Sequence, residues 1–329
     1  MEIHEEFEVL RVDAAGQNVS WTIVITTLNR STLLKRAIES AIAQTEPCEI
    51  VVVDDGSTDD TRDMVARYAQ IIYLRNPTRL GHAAAANLGI KTAKGTWIKF
   101  LDDDDYLSPE CLRAMTQAIS KAKCNGYDPK VVTCASTNVA IDKTTIGKTP
   151  TLPIQTPAVI GRDDLLPLMM LDQIPLGTPV QVAHERAAAI ALGGWNEQRS
   201  IDRLNGDESE FWIRLAQAGD MLFLPQTLVF RTIWSGNESV TSSERLGISL
   251  DLKLTIARQM NKGKASEARV PPAIVHYLCL HWGLVALRDR KILCGIGLVL
   301  RGMFDPASYR YIWRRRRFAD AIKLTIMLD

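Results

Sequence analysis

Residues 81–109 read GHAAAANLGIKTAKGTWIKFLDDDDYLSP, and the reading of the fold starts from them. The small residues from about His82 to Lys94 read as a helix, and Thr96–Leu101 (TWIKFL) after them as an apolar strand. Four consecutive carboxylates, Asp102 to Asp105, follow that strand at once. Helix, strand and then a charged loop is the cadence of an α/β sheet whose strand ends carry the chemistry.

The same cadence extends toward the N-terminus. Trp21–Thr26 (WTIVIT) is β-branched and apolar on both faces, as a buried parallel strand should be. Ser31 can cap a helix over about Thr32 to Gln44, where Leu33, Leu34, Ala37, Ile38, Ala41 and Ile42 recur at helical spacing. Glu49–Val53 (EIVVV) reads as the second strand, about Thr58 to Tyr68 as a second helix, and Ile71–Leu74 as the third strand. The expected fold is therefore α/β, an open and mostly parallel sheet flanked by helices. In such sheets ligands bind outside the carboxyl ends of the strands, so the loops Asp54-Asp55-Gly56-Ser57 and Asp102 to Asp105 should open onto one binding edge.

Toward the C-terminus, Val131–Cys134 and Leu222–Phe230 read as strands and Glu208–Gly219 as a helix. Residues 245–260 and 270–290 read as further helices. The expected organisation is an appendage at 1–19, the α/β domain at 20–240, and a helical C-terminal extension with a basic and aromatic tail at 241–329.

Composition bounds the function classes. The chain of 329 residues is 46% hydrophobic and 23% charged, with a formal net charge of +1, which argues against a nucleic-acid partner. Six scattered cysteines show no CxxC pair, consistent with reduced thiols in a cytoplasmic protein. The acidic N-terminus lacks the apolar run of a secretory signal, and the best candidate span, Ile292 to Phe304, is short and broken by Arg301. The expected localisation is cytoplasmic.

Three acidic clusters carry the chemistry. Asp102 to Asp105 would repel one another strongly without a cation among them, and hard ions such as Mg²⁺ and Mn²⁺ favour carboxylate oxygen shared with substrate phosphates. The plainer alternative is a solvated acidic turn. A calcium loop of the EF-hand kind is excluded, because its required Gly and Glu positions hold Leu107 and Arg113. Asp54-Asp55-Gly56-Ser57-Thr58 is either an acidic helix start or a set of acceptors for a base N–H or ribose hydroxyl. A phosphatase-type nucleophile motif would need Asp where Val53 stands. Gly193-Gly194-Trp195-Asn196-Glu197, followed by Asp207-Glu208-Ser209-Glu210-Phe211-Trp212-Ile213-Arg214-Leu215, places carboxylates at a helix start, able either to cap it or to take a proton from an attacking hydroxyl.

Order and spacing make these clusters more specific together than singly. VITTLNR (24–30), VVVDDGSTDDT (51–61), the 81–109 stretch and GGWNE (193–197) running on to FWIRL (211–215) resemble the inverting glycosyltransferases of GT-A (Rossmann-like) fold commonly called family 2, over roughly residues 20–240. The resemblance implies one sugar transferred, with inversion, from a nucleoside diphosphate, with a UDP-sugar the expected donor. The implied acceptor is a hydroxyl of a glycan or lipid-linked oligosaccharide, as in bacterial surface-polysaccharide synthesis. It implies that Thr27, Asn29, Arg30, Asp54, Asp55, Asp102 and Asp103 hold the nucleotide-sugar. Asp104, with Asp102, would bind Mn²⁺ or Mg²⁺. The catalytic base falls at Glu208, with Asp207 the runner-up because the acidic pair is reversed from the common order.

There are departures as well. Thr26 and Leu28 replace the usual Pro and aromatic residue, and Ala86 stands where many relatives place an Arg near the diphosphate, with Arg79 or Lys94 the candidates to compensate. Trp234 and Ser235 occupy the region of a frequent His, and the Gln-x-x-Arg-Trp motif of processive synthases is absent. A sugar nucleotidyltransferase and a non-catalytic nucleotide-sugar-binding module are the alternative functions; TTLNRST lacks the glycine-rich loop that the former favours. Finally, KILCGIGLVLRGMF and YRYIWRRRRF within 291–329 suit either a solvated helix face or a peripheral contact with the inner face of the cytoplasmic membrane.

Overall fold

The computed structural model describes residues 19–149, 152, 154–171, 174, 177–197, 207–234, 252–257, 272–288, 290, 292–303 and 325–326. Residues 1–18 of the expected appendage and most of the basic tail lie outside these residues.

Four parallel strands form one half of the sheet: β1 (Trp21–Thr27), β2 (Cys48–Asp54), β3 (Ile72–Arg75) and β4 (Trp97–Asp102), side by side in the order β3-β2-β1-β4. Alternation along these strands feeds two apolar layers. Val24, Val51, Val53, Ile98 and Phe100 face one layer, and Ile23, Ile25, Ile50, Val52 and Leu101 face the other. Helices α1 (Ser31–Ile42) and α4 (Cys111–Cys124) cover the second layer through Leu34, Ala37, Ile38, Leu112 and Met115. Helix α3 (His82–Thr92) covers the first layer through Ala83, Ala85, Ala86 and Ile90. Small side chains let its backbone lie close to β1, where a Cβ on Gly89 would come within 2.3 Å of Val24 Cγ1.

Beyond β4 the sheet is mixed rather than parallel throughout. Strand β9 (Val182–Glu185) pairs antiparallel with both β4 and β6 (Pro129–Val139), and β10 (Asp220–Thr232) then runs parallel to β6. Crossing one antiparallel strand restores direction, so the carboxyl ends of β6 and β10 share the edge used by β1, β2 and β4. Short strands complete the sheet: β5 (Tyr106–Leu107) on β10, β7 (Thr145–Lys148) on β6, β8 (Ala158–Ile160) on β10 and β11 (Thr325–Ile326) on β8.

The first apolar layer is also closed by α5 (Arg162–Met170), α6 (Arg186–Ala191) and α7 (Asp207–Leu215). The second helix expected from the sequence is shorter than read, α2 (Thr61–Val65). In the C-terminal region 252–257 is helical, and α8 (Pro272–Arg288) packs on α9 (Ile292–Met303) as a hairpin. No described helix is long and apolar enough to cross a membrane.

Candidate active site

Register builds the site edge. Thr26 stands opposite Asp102, and Thr27 opposite Asp54, so three strands deliver their terminal polar residues to one line. Beyond that line the first two loops are fastened together. The Asn29 backbone N–H donates to Ser57 Oγ at 2.8 Å, and Asn29 Oδ1 accepts from the Thr58 backbone N–H at 2.7 Å.

The carboxylates of the second loop serve its architecture. Asp54 is fully buried, and its oxygens accept from the Ser57 N–H at 2.7 Å and the Tyr73 hydroxyl at 2.6 Å, with Arg75 Nε 3.4 Å away. Burial, together with this bond to Asp54, pushes the Tyr73 phenol up. Asp55 accepts from Asn76 Nδ2 at 2.7 Å and from the backbone N–H groups of Leu80 and Gly81 at 2.9 and 2.8 Å. The turn between them needs glycine: Gly56 has φ +90°, and a Cβ there would lie 2.9 Å from the Thr78 carbonyl carbon.

The four aspartates divide into two pairs. Asp103 and Asp105 are buried and anchored. Asp103 accepts from Thr27 Oγ1 at 2.8 Å and Arg30 Nη1 at 3.0 Å, and Asp105 accepts from the Thr232 N–H at 2.7 Å. Burial pushes the Asp103 carboxyl up to about 6 against the pull of Arg30, with the Asp104 charge adding to the rise. Burial and the charges of Asp102 and Asp104 hold Asp105 well above the ordinary carboxylate range.

Asp104 and Asp102 form the second pair. Asp104 Oδ2 accepts from Trp234 Nε1 at 3.0 Å and lies 3.4 Å from Arg30 Nη1. The Asp104 backbone carbonyl accepts from Arg36 Nη2 at 2.6 Å, and the same nitrogen reaches Thr232 Oγ1 at 2.5 Å. Asp102 is half-buried, and among the described residues its carboxylate accepts no hydrogen bond. Burial and the neighbouring Asp104 charge raise its pKa. No group of three His, Cys, Asp or Glu side chains among the described residues could hold a metal by itself. Two carboxylates at a sheet edge do match a Mg²⁺ or Mn²⁺ site whose remaining positions go to phosphate oxygens and water.

A wall carrying the third acidic cluster stands beside this edge. Asn87 of α3 accepts from the Trp195 N–H at 2.8 Å and donates to the Trp195 carbonyl at 2.9 Å and to Glu197 Oε1 at 2.8 Å. Gly194 has φ +72°, and a Cβ there would sit 2.3 Å from Asn87 Oδ1. Arg214 of α7 grips Glu210 with two bonds of 2.7 Å and the carbonyls of Leu192 and Gly194 at 2.7 Å each. The Gly-Gly-Trp turn and α7 are therefore tied together through Arg214. His82 stands edge-on to Trp195 at 5.0 Å between ring centroids and is within electrostatic reach of Asp102, connecting wall and acid edge.

Glu208 is half-buried in the first turn of α7, and Glu210, which is buried, is bound to Arg214. Asp207 begins that helix, and its side chain lies outside the described residues. The structure also separates the two cations considered for the diphosphate. The Lys94 N–H bonds Glu49 next to the start of β2, at the opposite end of the sheet, whereas Arg79 adjoins Gly56 on the site edge. Sequence reading missed Arg36, Asn87 and Arg214. Asn87 had a legible signal, being a lone amide inside a helix of small residues.

Residues 22–161 match the family described as Glycosyl transferase family 2. Over 88 residues the chain is 41% identical to the UDP-Glc:alpha-D-GlcNAc-diphosphoundecaprenol beta-1,3-glucosyltransferase WfaP of Escherichia coli, a match covering 26% of this chain and 35% of that protein. The chain thus spans about a third of the length of the curated relatives it matches. Among solved structures, S. aureus TarS 1–349 in complex with UDP-GlcNAc superposes with a TM-score of 0.55 at 16% identity, over 93% of this chain and 77% of that one. The mannosyltransferase PcManGT from Pyrobaculum calidifontis, in complex with GDP-Man and Mn²⁺, superposes with a TM-score of 0.55 at 18% identity, over 95% and 89% of the two chains. At these identities the likeness is one of fold.

Proposed function

From the premise that residues 22–161 form a glycosyl transferase family 2 domain, we propose that this chain transfers one sugar from a nucleoside diphosphate, most simply a UDP-sugar, to a hydroxyl of a glycan or lipid-linked oligosaccharide. The observation that carries the reading is the carboxyl edge itself. Thr27, Arg30, Asp103 and Asp104 are joined there in one hydrogen-bonded group, beside an Asp102 carboxylate that accepts no hydrogen bond from the described residues.

Each residue takes a role that its surroundings support. Asp54, Asp55 and Asn29 hold the second loop in the shape that receives the nucleoside, and the remaining lone pair of Asp55 Oδ2 is the acceptor offered to base or ribose. Thr27 and Asp103 line the floor, and Arg30 balances the acid charge beside the diphosphate. Asp102 and Asp104 would hold Mn²⁺ or Mg²⁺, which when bound neutralises charge growing on the departing diphosphate. Glu208, with Asp207 as the alternative, takes the proton of the acceptor hydroxyl. The hydroxyl oxygen bonds to the anomeric carbon as the bond from that carbon to the diphosphate oxygen breaks. The electron pair leaves with the diphosphate, and configuration inverts without an enzyme-bound sugar.

The deciding experiment offers UDP-, GDP- and dTDP-sugars to the protein with Mn²⁺, Mg²⁺ or EDTA, reading nucleotide release and thermal shift together. Metal-dependent release or stabilisation by one donor supports the proposal. If no nucleotide is turned over or shifts the melting temperature, the acidic loops are structural turns and the reading fails.

A further inference from the structure

Helix α8 buries its apolar face in the ordinary way, whereas α9 is built inside out for a helix in water. In α9 the buried positions are Gly295 and Gly302, while Ile292, Leu293, Ile296, Leu300 and Met303 are exposed, Leu293 to 90%. Close approach explains the arrangement. A Cβ on Gly295 would lie 2.6 Å from Leu287 Cγ, and one on Gly302 would lie 2.6 Å from the His276 carbonyl oxygen and the Leu280 nitrogen. With these glycines, Leu298 and Val299 on its inner side, α9 turns its remaining large apolar side chains outward, and Leu284 of α8 is exposed as well. A soluble helix does the reverse, burying its apolar stripe and exposing charge.

The charge around this face is predominantly positive, with Asp289 and Asp305 the acidic residues flanking α9. Arg288 and Arg290 precede α9 and Arg301 lies within it, all three exposed. The sequence adds Lys291 and, further on, Arg310 and Arg314 to Arg317 interleaved with Tyr309, Tyr311 and Trp313. Helix α9 has 12 residues, too few to span a bilayer. A short helix with an apolar outer face, basic flanks and interfacial aromatics is suited to lie in the boundary between headgroups and acyl chains.

We propose that the outer face of α9 (Ile292, Leu293, Ile296, Leu300 and Met303) docks the protein onto an anionic lipid bilayer, inserted to side-chain depth and held by the flanking arginines. The inference uses none of the residues assigned to the carboxyl edge and stands whether or not the chain transfers sugars.

The test is co-flotation of the full-length chain with vesicles of phosphatidylcholine alone and of phosphatidylcholine with about one third phosphatidylglycerol. The wild type is expected to float with the anionic vesicles at least tenfold better than with the neutral ones. Leu293→Asp with Leu300→Asp should lose that binding at least tenfold, while the thermal midpoint and any nucleotide-induced shift stay as in the wild type. Three results overturn the proposal. One is wild-type protein that ignores anionic vesicles. Another is binding abolished by Arg314–Arg317→Gln but indifferent to the two aspartates, which would assign the contact to the tail alone. The third is a dimer in sedimentation that the aspartates dissociate without any vesicle binding, which would make the face a contact between copies.

Discussion

Trp234 donates its indole N–H to Asp104 Oδ2 at 3.0 Å, and the guanidinium of Arg30 lies over the same indole at 5.5 Å while reaching that oxygen at 3.4 Å. The last residues after β10 and the loop after β1 thus meet on one carboxylate oxygen, fixing its direction. If Asp104 holds the metal, Trp234→Phe keeps a ring beneath Arg30 but removes the donor. A loss of about 10- to 100-fold in Mn²⁺-dependent UDP affinity is expected, the worth of one hydrogen bond to a charged group. Asp104→Ala should remove metal-dependent binding and lower turnover by at least ~10²-fold. Calorimetry with and without Mn²⁺ checks both, and wild-type Mn²⁺-dependent binding by Trp234→Phe would detach Trp234 from the metal site.

The acceptor-side proton separates Glu208 from Asp207. Glu208→Gln is expected to lower transfer by ~10²–10⁴-fold with donor affinity unchanged, whereas Asp207→Asn should cost far less. Single-turnover rates beside donor binding constants read the difference. A reversed order would move the base to Asp207 and leave the rest of the site standing.

Stability should respond to pH through two opposed groups. Asp103 has a folded pKa of about 6, above the ~3.9 of an unfolded chain, so between these values the folded state holds the extra proton and stability falls as pH rises. Burial lowers His184 to about 4, below its usual ~6.5, so there the unfolded state holds the extra proton and stability grows as pH rises. Each contributes about 3 kcal/mol across its window, and between pH ~4 and ~6 they offset one another. Asp102 and Asp105, also raised, act in the sense of Asp103. His184 Nε2 is buried without a partner, so His184→Phe removes the rising component at little polar cost. Urea unfolding of this variant should show stability dropping more steeply from pH 4 to pH 6 than in the wild type, and an unchanged slope would refute the account.

The link between α3 and the Trp195 turn is open to a stability test. Asn87→Ala strips partners from the buried Trp195 N–H and carbonyl, for an expected loss of about 2–4 kcal/mol. Gly194→Ala should cost a similar amount by pressing a Cβ onto Asn87 at a positive φ. Because both act on one contact, the double variant should lose less than the sum of the two. Strict additivity in a denaturant-based cycle would show that the contact is not shared.

What the sequence disclosed follows the range of the interactions involved. β1, α1, β2, α3 and β4 were legible because each declares itself through its own periodicity. Strand β9 was not: VAHE is four residues long, and only its neighbours β4 and β6 make it a strand, pairing Ile98 and Val131 with the same His184. Helix α6 follows it directly and was missed with it. At the site, the acidic residues could be named from their runs, but not their division of labour. Nothing in Asp102-Asp103-Asp104-Asp105 says that the second and fourth turn inward to Thr27 and Thr232, because those partners are 76 and 127 residues away. Arg36 was invisible for the same reason, lying on an amphipathic helix whose apolar spacing absorbed the reading.

Arg36 joins the Asp104 carbonyl, the Ile141 carbonyl at 3.2 Å and Thr232, contacts separated in sequence by 68, 105 and 196 residues. A single side chain therefore completes the carboxyl edge only after the first and last major strands of the sheet have found their places. During refolding, helical signal and burial of tryptophan can return while this clamp is still open. On the function proposed above, nucleotide binding is then expected to return after these signals, which would make it a stricter report of complete folding than any spectrum of the backbone.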